Sequence, residues 1–166
     1  TPNSAQGYQA RAMAFFGAVQ RFAMKDTDAD FAAMVMADYM LGGGFLNGRV
    51  PQRLREKDGL SYGAGTQTRI DEQDDASVLI GYAIYNPINV SKVEAGFKEE
   101  VEKAVASGFT ADEVNLARQG LLQEQDQSRS QDNSLASMLA DYLETGRTFA
   151  FDEAVDKTVA EHGRID

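Results

Sequence analysis

Along this chain the spacing of apolar residues changes period several times, and each change marks an element. Over residues 11–24, "RAMAFFGAVQRFAM" sets aromatic and β-branched residues in rough alternation, which predicts a strand. "KDTDAD" then offers capping residues for a helix through "FAAMVMADYML". Phe31, Val35 and Tyr39 share one stripe, and Met34, Met36 and Met40 widen it. That helix is expected to be mostly buried, its methionines serving as adaptable core rather than as a binding surface. The glycines of "GGGFLNG" (42–48) must break it, and they allow close backbone approach. A short helix over about 50–58 follows, with Pro51 in its first turn and Gly59 where a left-handed residue ends a helix.

Two alternating runs, "LSYGAGTQTRI" and "ASVLIGYAIY", are joined by the acidic "DEQDD" and predict an antiparallel hairpin. In the second, Val78, Ile80, Tyr82 and Ile84 share a face, with smaller residues on the other. From residue 89 the period becomes helical: Val90, Val93, Phe97, Val101 and Val105 form a stripe that ends near Gly108. "TADE" (110–113) is a capping box, Thr110 with Glu113, opening a helix through Val114, Ala117 and Leu121. That helix enters "QEQDQSRSQDNS", where apolar residues vanish, leaving open an exposed helical extension or a break. Leu135, Met138, Leu139, Tyr142 and Leu143 make a further stripe up to Gly146, and a last helix covers roughly 152–162. The expected fold is α+β: a two-layer sandwich with helices packed on one face of an antiparallel sheet. Residues 1–10 are expected to be linker and 11–166 a single domain, truncated from a longer chain.

The composition narrows the function classes. A length of 166 residues is ample for one core without staples. With a net charge of −10, nothing obvious would neutralise a nucleic-acid backbone, and an anionic membrane face is equally disfavoured. No apolar run approaches the roughly 18–20 residues of a spanning helix. The absence of cysteine removes disulfides, thiolate nucleophiles and cysteine zinc sites.

Candidate chemistry is correspondingly sparse. The one histidine, His162, cannot by itself supply a hydrolytic zinc site, and neither H-E-x-x-H nor H-x-x-E-H occurs. No G-x-S-x-G elbow accompanies it. "GGGFLNG" lacks the G-K-[ST] ending of a phosphate loop, and "DEQDD" lacks the spaced ligands of a calcium loop. Arg55 and Tyr62 remain, seven residues apart across Asp58-Gly59. They read either as a surface arginine with a half-buried strand tyrosine, or as two hydrogen-bond donors brought to one rim by a helix–glycine–strand corner. Two such donors could polarise a carbonyl or stabilise an oxyanion, but could not attack a bond themselves.

The combination "MADYMLGGGFLNGRVPQRLREKDGLSYGAG" resembles the pitrilysin/insulinase family of zinc peptidases, in particular a non-zinc domain from the C-terminal half. The resemblance rests on Leu41 to Gly44, Arg49, Leu54-Arg55-Glu56, Gly59-Leu60 and Tyr62. "GFTADEVNLARQGLLQE" and "LASMLADYLETGRTFAFD" also look like later helices of that family, so the likeness covers about 26–166, with 1–25 matching only loosely. It implies the fold of the mitochondrial-processing-peptidase-like metallohydrolases. It implies that Arg55 and Tyr62 contact the backbone of a peptide or protein substrate near the scissile bond. It also implies zinc and H-x-x-E-H in a homologous partner domain, in the same chain or another subunit, and none here. "FLNGR" departs from the usual two small residues before the arginine, which leaves the role of Arg49 open. The likeness of "NGRVPQRLREKDGLSYG" to large bacterial members suggests a periplasmic or secreted parent.

Two functions follow from the resemblance. One is a substrate-binding domain of a zinc metalloendopeptidase, inactive by itself for want of the zinc motif. The other is a structural or assembly domain of the same fold with no peptidase role. Retention of both Arg55 and Tyr62 favours the first.

Overall fold

Three strands pair antiparallel in the order β1–β3–β2: β1 is Ala14–Phe22, β2 is Ser61–Arg69 and β3 is Ser77–Tyr85. The computed structural model describes residues 12–44 and 47–161. The expected linker at 1–10, two residues of the glycine-rich turn (Phe45 and Leu46) and His162 lie outside them. The central strand runs in register with β1 from Ala14↔Tyr85 to Phe22↔Ser77. Against β2 it runs from Ser61↔Tyr85 to Arg69↔Val78, with one irregularity between Ser61 and Gly63. Tyr62 is therefore the extra residue of a β-bulge, a feature that re-aims a side chain locally.

The two faces of the sheet differ sharply. Ala64, Ala83 and Tyr85 are buried beneath α3 (Val90–Ser107), where they meet Val93 and Phe97, with Leu41, Val50 and Leu54 closing the cluster. Phe16 joins from β1, its ring centroid 5.1 Å from that of Phe97. The small side chains of β3 let the helix close on the sheet. The bulkier Val78, Ile80, Tyr82 and Ile84 stand on the opposite face beside the exposed Phe15 and Val19. A second cluster lies between α1 (Phe31–Asp38), α4 (Ala111–Arg129) and α6 (Phe149–Glu161). It contains Ala32, Met36, Tyr39, Met40, Val114, Ala117, Leu121 and Val159, so Met36 and Met40 are core residues.

Between the clusters, α1 runs on into a π-helical turn, Tyr39–Gly43, that lies along the outer edge of β2. The approach is backbone on backbone: a Cβ at Gly42 would stand 2.5 Å from the Thr66 nitrogen. Asp38 completes the closure. One carboxylate oxygen accepts from the Thr66 hydroxyl at 2.6 Å and the other from the Thr68 N–H at 2.9 Å. An edge that would otherwise expose ladder donors is thus covered.

The expected elements form, with shifts that packing explains. The first strand contracts to Ala14–Phe22 and the last helix begins at Phe149. The short helix begins at Arg49, as α2 (Arg49–Pro51), and passes into a second π-helical turn, Gln52–Lys57. Gly59 takes the left-handed conformation at φ 62°. The polar stretch after Leu121 does both things left open. The α4 helix extends through it to Arg129, and the chain breaks at Ser130–Gln131 before α5 (Asp132–Thr145).

Two stripes are corrected. Val90 is exposed and Val105 is 84% exposed, whereas the inward face of α3 carries Val93, Gly96, Phe97 and Glu100. At about 100° per residue, Val105 lies about 120° around the helix from Val93. On α5 only Tyr142 is buried; Leu139 is exposed and Leu143 is 87% exposed, because α5 packs on α4 with its end alone turned toward α6.

Replacing Gly42 with alanine should destabilise the chain by about 1–3 kcal/mol, since the added methyl meets backbone and neither element can yield cheaply. Gly63→Ala, where a Cβ meets nothing within 4 Å, should change stability by less than about 0.5 kcal/mol. Urea midpoints of both variants test this; equal midpoints would mean that the edge contact is not tight.

Candidate functional site

Arg55 sits on the π-helical turn before β2, and Tyr62 at the bulge that begins the strand. The turn is closed by Asp58 N–H donating to Arg53 C=O at 3.1 Å and Leu60 N–H to Leu54 C=O at 2.8 Å. Leu54, which immediately precedes Arg55 in sequence, is fully buried and anchors the turn. The Arg55 side chain is 43% exposed and, among the described residues, its ion-pair partner is its neighbour Glu56, at 3.4 Å. Tyr62 is 55% exposed, and no intramolecular partner holds its hydroxyl among the described residues. Arg55 also borders a small pocket whose wall includes Gly63 and Ala64, the residues that follow Tyr62. The two donors thus flank the start of β2, Arg55 from the preceding turn and Tyr62 from the strand; the Tyr62 phenol is not part of that pocket wall.

The neighbouring arginines are committed elsewhere. Arg49 Nε and Nη2 donate to the two carboxylate oxygens of Glu113 at 2.6 and 2.8 Å, and Nη2 donates to Gly108 C=O at 2.9 Å. Its guanidinium also lies 4.5 Å over the Phe109 ring. Glu113 at the same time accepts from the Thr110 N–H at 2.7 Å, closing the capping box of α4. The open question of Arg49 thus has a structural answer: it ties α2 to the start of α4. Arg53 pairs with Asp58 at 3.3 Å and Glu99 at 3.0 Å. Of the three arginines on this segment, Arg55 alone is left facing outward.

A larger cleft, about 680 Å³, opens between α1, the end of β2 and α5. Its charged lining is largely engaged. Arg147 holds the buried Asp26 through both guanidinium nitrogens and stacks 4.4 Å over Phe151, Asp38 serves the β2 edge, and Tyr142 donates to Asp152. The Asp26–Arg147 and Asp38–Thr68 contacts join residues 121 and 30 positions apart, and no local spacing in the sequence announces them. Among the described residues no three His, Cys, Asp or Glu side chains are grouped so as to hold a metal ion. The described residues therefore do not fit a catalytic zinc.

An α+β domain with a helix-backed antiparallel sheet, an exposed arginine and an exposed tyrosine flanking the start of β2 and, among the described residues, no grouped metal ligands is the class defined by this geometry. The chain belongs to the family of the peptidase M16 inactive domain, whose model matches residues 6–121. That match reaches further toward the N-terminus than the motif-based likeness and leaves α5 and α6 outside it. Similar folds occur in the peptidase M16 inactive domain from Pseudomonas fluorescens (TM-score 0.72, 18% identity, 90% of this chain). They occur also in a protease from Helicobacter pylori (TM-score 0.73, 18% identity, 87% of this chain). The periplasmic protease PqqL from Escherichia coli is similar too (TM-score 0.68, 15% identity, 92% of this chain). This chain spans 34% of the first two of those chains and 17% of the third. No curated protein sequence matches it closely enough to count as a relative.

The Arg49 pair sets a pH dependence. The guanidinium, with the Thr110 donors, holds the Glu113 carboxyl at about 2, below its ordinary 4.5. Between those values the unfolded chain binds a proton that the folded chain does not, so this contribution is complete above about 4.5 and is lost as pH falls toward 2. Melting temperature should therefore fall less steeply across that window in Glu113→Gln than in the native chain. Parallel slopes would contradict the coupling.

Proposed function

We propose that this domain is the metal-free, substrate-holding part of an M16-type zinc endopeptidase, with Arg55 and Tyr62 as donors to the peptide near the scissile bond. The observation that carries this reading is the pair's availability: at the start of β2, one guanidinium and one phenol remain exposed, while Arg49 and Arg53 beside them are spent on ion pairs. Donors of this kind stabilise charge that develops on a carbonyl oxygen, and the backbone that bears them here is anchored by a buried leucine and a strand. Neither group can act as the nucleophile or its base. In this reading residues 11–166 form one domain, and the hydrolytic metal belongs to a homologous domain bearing H-x-x-E-H in the same chain or a partner subunit. The name of the Escherichia coli neighbour, a periplasmic protease, supports an exported setting.

The competing reading, an assembly domain without a peptidase role, makes Arg55 a solvated surface charge and Tyr62 a packing residue. Substitution in the full-length protein separates the two. Tyr62→Phe and Arg55→Ala should each lower kcat on a peptide substrate by about 10²–10³, with metal content and melting temperature unchanged. The double variant should lose less than the product of the single losses, because both donors act on one bound geometry. Near-native turnover in Tyr62→Phe, which lacks only a hydroxyl, would favour the assembly reading.

A further inference from the structure

Tyr82, at the middle of the central strand, has a glycine on each side: Gly17 across β1 and Gly65 across β2. Its ring leans toward β2. The hydroxyl and Cε1 lie 3.2 and 3.3 Å from where a Cβ of Gly65 would stand, so any side chain at 65 would push the phenol away. Beyond Gly65, Tyr82 lines a small pocket together with Arg55, Pro51, Gly63 and Ala64. The pocket measures about 130 Å³. A cavity of about 150 Å³ admits a bare benzene ring, so this smaller one suits a short aliphatic group better than a benzyl group. Apart from Arg55, the phenol and Thr66, whose hydroxyl is already spent on Asp38, that lining is glycine, alanine and proline, so its demand is for a short aliphatic group.

Resting on the peptidase reading of Arg55, we infer that Tyr82 is a specificity-determining residue: it sizes a subsite beside Arg55 for a small aliphatic side chain of the bound peptide, alanine to leucine, and excludes aromatic ones. An aliphatic side chain of up to four carbons fills the space, whereas a benzyl group exceeds it and would have to displace the phenol. The glycines at 17 and 65 leave that half-buried ring without a cross-strand side chain on the face of the sheet opposite α3, where it would meet the peptide.

The test uses the full-length protein and a set of acetylated, amidated peptides varied one position at a time, with cleavage followed by mass spectrometry. At one position next to the cleaved bond, valine should be preferred over phenylalanine by at least about tenfold in kcat/KM, the scale on which apolar pockets discriminate by size. Tyr82→Ala should erase or reverse that preference at that position alone, and Tyr82→Phe, which keeps the wall, should retain it. A uniform loss over all peptides in Tyr82→Ala would overturn the inference. A second measurement does not need turnover: in protein labelled with 3-fluorotyrosine, the Tyr82 fluorine resonance, assigned through Tyr82→Phe, should shift on titration with the valine peptide and not with the phenylalanine peptide. If no peptide is cleaved yet that selective shift occurs, the peptidase reading fails and the subsite stands. If the resonance responds to neither peptide, or equally to both, the subsite is refuted whatever the activity.

Discussion

The contact on which the rest of this structure depends is the seating of a helix end directly on the backbone of an edge strand. At Gly42 the π-helical turn after α1 comes so close to Gly65 and Thr66 that no side chain fits between, and Asp38 supplies the acceptors that the β2 edge needs. Both hydrophobic clusters are tied through this seam. Met40 and Tyr39 belong to the helical cluster, while the next residue, Leu41, belongs to the one under the sheet. The Tyr39 hydroxyl reaches Glu124 on α4 at 3.2 Å, which fixes the outer helices to the same seam. The turn that bears Arg55, Gln52–Lys57, packs on the same strand.

Charge is distributed with a clear division of labour. Bidentate arginine–carboxylate pairs join distant segments, Arg49 with Glu113 and Arg147 with Asp26, each with an aromatic ring under the guanidinium. The planar fork of arginine suits both contacts at once, which lysine could not supply. Breaking such a pair from one side leaves a partly buried charge without its partner, so these residues are fixed by the fold rather than by recognition. Arg55 lies only two residues from Arg53 and is free of that demand. A helical turn can bury one arginine stem and free the next because neighbouring positions point to different sides.

The sheet carries the other asymmetry. One face of β3, small at its centre where Gly81 and Ala83 stand, is covered by α3; the other is bulky, apolar and without a helix among the described residues. Alternation in the sequence revealed both faces of the strand and which residues share each. It did not reveal which face the helix covers, because the bulkier set would ordinarily be assigned to the core. The choice depends on how closely α3 can approach, and that is decided where Phe97 meets the small residues of the sheet.

Local chemistry written along the chain determined the elements, the Thr110–Glu113 capping box, the left-handed Gly59 and the buried methionine helix, since each depends on residues within a turn or two of one another. It also placed Arg55 and Tyr62 on either side of one glycine corner, and it supplied the motifs through which the family could be seen. Only the tertiary structure decided that Arg49 serves Glu113, that Asp38 closes the β2 edge, that Val105 and Leu143 face outward, and that Tyr82 shares a pocket with Arg55. The reason is physical. Those outcomes depend on which surfaces come within hydrogen-bond or van der Waals range across tens of residues, and close-packed backbone geometry, rather than local periodicity, sets that range.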